Sequence, residues 1–126
     1  MEKKITTRTT PLMFFRQYLK LINPLYRLSP KESEVLSYLL YLNYKYRDIT
    51  EDARHRLIFD YDSKVLIANE FKTSMAKINN VLTDLRKKSY QGQSFVLGKK
   101  LNFRVPLLPT LTENKMNLNF EFIIND

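Results

Sequence analysis

The chain of 126 residues contains no cysteine, two glycines and one histidine. Without cysteine there is no disulfide framework, no cysteine zinc site and no thiol nucleophile. Two glycines cannot build a glycine-rich phosphate loop. His55 has no cysteine or second histidine to join it, so a zinc site or a histidine-activated nucleophile is not expected; it reads as an exposed or half-buried helical residue between Arg54 and Arg56. No apolar run approaches the ~20 residues that span a bilayer, and no membrane partner is expected. The N-terminal MEKKITTRTT lacks the apolar core of a signal peptide, which predicts a cytoplasmic protein. Paired carboxylates are also missing. Glu32 and Glu34 are two apart and fall on different helical faces, and Asp60-x-Asp62 reads as a turn with a helix cap rather than a cation site. Neither an enzyme nor a cofactor is indicated.

Apolar residues make up 44% of the chain, enough for one packed core. The net charge is +8, and it is unevenly spread. Residues 72–104 hold eight bases against Asp84 alone, a net of +7, whereas residues 30–62 hold seven acids and five bases. A surplus gathered in one stretch favours a polyanionic partner.

The order of elements follows from caps and periodicity. Residues 1–10 are Thr-rich and basic, a flexible arm or an edge strand. Pro11 opens a helix with Leu12, Phe15, Leu19 and Ile22 on one face, stopped by Asn23-Pro24. Ser29-Pro30-Lys31-Glu32 combines a cap hydroxyl, a first-turn proline and a Glu three residues after the cap. The helix it starts runs to about Arg47, with apolar stripes wide enough to touch more than one neighbour. Thr50-Glu51-Asp52 marks a third start, and Asp62 caps a short helix after it. Lys72-Thr73-Ser74 is a tight turn before MAKINNVLTDLRKK, in which Ile78, Leu82 and Leu85 keep helical spacing. Strands are expected at Phe95–Leu97 and Leu101–Val105. A further strand from Met116 to Ile124 alternates apolar and polar residues. The fold class is α+β.

Residues 62–105 resemble the winged helix-turn-helix family. The residues carrying the likeness are Ile67-Ala68, Phe71, Thr73-Ser74, Ile78, Leu82 and Leu85-Arg86-Lys87-Lys88. The whole layout is similar to MarR-like and to plasmid- or phage-replication-protein members. The family's turn usually carries Gly, and Phe71-Lys72-Thr73 has none. The resemblance implies a single winged helix domain over 11–126. Its helix-turn-helix lies at about 62–88, its wing at about 94–105 and its closing strand at about 116–124.

In that geometry the N-terminal part of the second helix enters the major groove of double-stranded DNA. The candidate contacts are Lys72, Thr73, Ser74, Met75, Lys77, Asn79 and Asn80, with Arg86 and Lys87 at the helix end and Lys99 and Lys100 at the hairpin tip. Asn pairs with adenine, while Lys and Ser meet phosphates or guanine edges. Each has a plainer reading. Cations at a helix C-terminus offset the macrodipole, the asparagines serve as solvated polar residues, and Lys99-Lys100 serves as a soluble turn. The function implied is sequence-preferring DNA binding by a transcriptional regulator or replication factor, with a homodimer through the N-terminal helices. The rival is an adaptor or structural protein of a phage or replisome, docking through Phe14, Phe15 and Tyr18. Single-strand or RNA binding would need Tyr90, Phe95 and Phe103 exposed.

Overall fold

A computed structural model describes residues 8–112 and 115–117. Among these residues five helices come first and short antiparallel hairpins follow, an α+β arrangement that fits a winged-helix layout. Among the described residues no helix is long and apolar enough to cross a membrane.

Helix α1 spans Pro11–Tyr26, capped by the Thr10 hydroxyl. It does not stop at Asn23-Pro24 as its sequence suggests. Proline costs a helix one N–H bond, but here the extra turn buries Tyr26. Its ring packs at 4.9 Å from Tyr90 and 5.2 Å from Phe95, and its hydroxyl donates to the Pro106 carbonyl. Burial raises that phenol's pKa, which keeps it a donor. Asn23 then closes the corner: its side chain accepts from the Leu28 amide at 2.8 Å and donates to the Leu28 carbonyl at 3.2 Å.

Helix α2, Pro30–Lys45, starts with the full capping box. The Ser29 hydroxyl accepts from the Glu32 amide at 3.2 Å, and Glu32 Oε1 accepts from the Ser29 amide at 2.7 Å. Six consecutive residues, Val35 to Leu40, are buried. That is more than one face of a helix can supply, and α2 accordingly packs against α1, α3 (Glu51–Ile58) and α5 (Met75–Lys87). The same Glu32 oxygen takes an ion pair from Lys88, whose ammonium also donates to the Arg27 carbonyl at 3.0 Å. Burial alone would raise the Glu32 pKa, but the bonds from Lys88 and Ser29 outweigh it and hold the carboxyl below its ordinary value.

Several local expectations are revised. Thr50 stands at the N-cap of α3 without a side-chain bond. Helix α4, Tyr61–Glu70, is capped by Asp60 rather than Asp62. The Asp60 carboxylate accepts from the Ser63 amide at 2.8 Å, while the buried Ser63 hydroxyl is turned to the Leu57 carbonyl. Phe15 and Tyr18, proposed as a docking surface, are core residues, and Phe14 is half-buried. Met13, Leu21 and Leu25 are exposed on α1 instead, the latter two at 57% and 59%. Phe95 is buried and Tyr90 and Phe103 are half-buried, which leaves no open aromatic platform there.

After α5 come two hairpins in series, β1 (Ser89–Tyr90) with β2 (Gln93–Ser94) and β3 (Val96–Leu97) with β4 (Lys100–Leu101). The first was missed in the sequence. Gln91 and Gly92 both have positive φ, the requirement of a type I′ turn. The expected strand to Val105 ends at Leu101. The buried Asn102 side chain donates to the Ser94 carbonyl at 2.7 Å and accepts from the Arg104 amide at 3.2 Å, which turns the chain. A third hairpin pairs β5 (Thr110–Thr112) with β6 (Lys115–Asn117). The start of the expected closing strand is β6; residues 118–124 of it, and residues 1–7 of the arm, lie outside the described residues.

His55 is not exposed or half-buried but 2% accessible, because α3 packs against β4 and the imidazole stacks on Phe103 at 5.6 Å. Burial lowers its pKa; Arg54 and Lys100 act in the same direction, and Glu51 and Asp52 oppose them.

Two outcomes follow. Lys88→Ala leaves the Glu32 carboxylate unpaired in the core, and denaturant melts should show a loss of about 1–3 kcal/mol. The native state also prefers neutral His55, whereas the unfolded chain takes up a proton near the ordinary value of 6.5. Stability present above that pH should therefore decline as pH falls below it, and His55→Phe should flatten this part of a melting-temperature profile.

Candidate nucleic-acid interface

The candidate interface is built by α4, the turn after it, and α5. Ala68, 6% accessible, sits in α4 where that helix packs against α5. A small side chain there permits a close crossing. The turn then needs a residue in the left-handed region, ordinarily glycine. Lys72 takes that conformation, with φ of 51°. Its amide donates to Asn69 O at 3.3 Å, and the Thr73 amide donates to Ala68 O at 2.9 Å. These are the two bonds of a Schellman motif. The missing glycine is thus replaced by a strained lysine, not by a different turn.

Ser74 caps α5, its hydroxyl accepting from the Lys77 amide at 3.2 Å. Ile78, Val81, Leu82 and Leu85 are buried. At roughly 100° per residue, the direction opposite them is occupied by Ala76, Asn80, Thr83 and Lys87, all exposed. Asn79 and Arg86 lie on one flank of this stripe, and Lys77 and Asp84 on the other.

The β3–β4 hairpin lies beside α5. Gly98 has φ of 60° at the first turn position, followed by Lys99, as in a type II′ turn. Arg86 Nε donates to the Gly98 carbonyl at 2.7 Å and fastens the tip to the C-terminal half of α5. Arg86 is eleven residues from Met75, so the hairpin and the N-terminal end of α5 are separated by about 16 Å along the helix.

The candidate residues divide accordingly. Lys72, Ser74, Lys77, Asn79, Asn80, Lys87, Lys99 and Lys100 are exposed. Three others are turned partly to the scaffold. The Thr73 hydroxyl is buried, Met75 packs against the core, and Arg86 is engaged with Gly98. Lys100 forms an exposed pair with Asp52 at 3.7 Å, a contact of small energetic weight. Among the described residues, Lys72, Lys77, Lys87 and Lys99 make no ion pair. Ala76 and Thr83 were passed over because they carry no obvious chemistry. Their spacing from Asn80, four before and three after, was the available signal. Arg104, beyond the hairpin, is also exposed.

No family model matches the chain, and no curated protein or solved structure matches it either, so the winged-helix likeness rests on the order of its elements and on this arrangement.

Proposed function

We propose that this chain binds double-stranded DNA, laying the N-terminal part of α5 in the major groove and acting as a transcriptional regulator or replication factor by occupying its site. The observation that carries the reading is the exposed, polar side of α5, with Lys72 and Lys77 at its leading end and Lys99 on the hairpin beside it. The cations suit phosphates on either side of a groove, and the carboxamides of Asn79 and Asn80 suit base edges, while the capping Ser74 hydroxyl still has its hydrogen to give to a phosphate. Two copies paired through α1 would present two such helices to successive half-sites about one helical turn apart.

A second reading, an adaptor acting through protein contacts, is favoured by the exposed Met13, Leu21 and Leu25 on α1. Salt separates the two. Each phosphate neutralised adds roughly 0.9 to the slope of log affinity against log salt.

The double charge reversal Lys77→Glu with Lys99→Glu should weaken duplex binding roughly tenfold or more and flatten that slope by about two phosphates. Fluorescence anisotropy across a salt series measures both. Unchanged affinity and slope would discard the DNA reading in favour of the adaptor. Lys72→Gly should separate the two burdens on that residue. Relief of the left-handed strain stabilises the fold by about 1 kcal/mol in thermal or urea melts, while loss of the ammonium weakens duplex binding.

A further inference from the structure

The outermost stripe of α5 is chemically narrow. Asn80 offers a carboxamide, with Ala76 one turn before it and Thr83 about one turn after. Thr83 donates its hydroxyl hydrogen to the Asn79 carbonyl at 3.0 Å, a bond inside the helix. What this stripe presents is therefore one amide bracketed by two small side chains that carry methyl groups. Neither Ala76 nor Thr83 is long enough to hold the helix away from a groove floor. No arginine stands on the stripe, Arg86 being turned to Gly98, and the one lysine on it, Lys87, lies at the far end of the helix.

From this we infer that Asn80 is the specificity-determining residue and that the site read by α5 is an adenine with thymines next to it. A carboxamide matches adenine because its oxygen accepts from N6 and its NH2 donates to N7. A methyl group matches the C5 methyl of thymine by apolar contact. Guanine is read by arginine or lysine through O6 and N7; none stands on this stripe beside Asn80, and Lys77, three residues before it, lies on the flank away from the hairpin, where the duplex-binding reading gives it a phosphate. Asn79 is not the equivalent residue. It lies on the flank toward the hairpin, about 100° from Asn80. The inference rests on the duplex-binding reading and adds to it which base the helix selects and through which side chain.

The test is a selection from random duplex DNA with the full chain, followed by anisotropy on the enriched duplex and two modified versions. In one, the central adenine is replaced by 7-deazaadenine, which lacks N7. In the other, the neighbouring thymines are replaced by uracil, which lacks the methyl. The wild-type chain should enrich an A·T-rich site and lose about tenfold or more on the 7-deazaadenine duplex, with a smaller loss on the uracil duplex. Asn80→Ala, an exposed change to a better helix former, should bind the unmodified and 7-deazaadenine duplexes equally, with the salt slope of the wild type. Asn79→Ala, whatever overall affinity it loses, should still favour the unmodified over the 7-deazaadenine duplex. A guanine-centred site, or an adenine preference that survives in Asn80→Ala, overturns the inference and leaves duplex binding standing. Failure to bind any duplex in a salt-dependent way overturns both.

Discussion

The burial of α2 on all sides is the constraint from which the rest of the architecture follows. A helix with six consecutive buried residues cannot lie on a surface. It needs apolar neighbours in several directions, and α1, α3 and α5 supply them. Once Ile78, Val81, Leu82 and Leu85 are drawn into that core, the opposite side of α5 has no choice but to face water. The polar face of the candidate interface is thus a consequence of packing and needs no special device. Glu32 adds direction to this apolar arrangement. A single carboxylate oxygen closes the N-terminus of α2 and holds Lys88 just past the end of α5. Nonspecific burial would tolerate sliding of the two helices; this contact does not.

Two further contacts set how the interface is presented. Lys72 supplies a left-handed residue where a side chain carries a conformational cost. That cost is borne beside the helix end proposed to meet DNA, and a cation is placed there that glycine would not provide. Residues held in sparsely populated backbone regions cluster at functional sites, in line with the proposed role of this turn. At the other end, Arg86 fastens the β3–β4 tip to α5 through the Gly98 carbonyl. The residue that charge alone marks as a phosphate ligand therefore positions Lys99 relative to the helix.

His55 shows how composition can mislead about environment. In sequence it stands between two arginines next to acidic residues, the surroundings of a surface side chain. In the fold it is sealed beneath Phe103. The helix α3 is short, and its neighbours on the hairpin are forty or more residues away along the chain. Nothing in the local pattern could announce that contact.

What the chain's own order of residues determined is the type and order of the described helices, the caps at Ser29 and Ser74, the apolar spine of α5 and the concentration of positive charge after residue 71. Each depends on side chains within a few positions of one another, so each is legible locally. Tertiary structure alone decided that α1 runs through Pro24 to bury Tyr26, that Arg86 is engaged with the hairpin, and that Ala76, Asn80 and Thr83 form the outermost line of α5. Those outcomes depend on partners distant in the chain or on which face of a helix the core takes. Charge and hydrogen-bonding capacity are properties of a residue, whereas exposure and direction are properties of the packing around it.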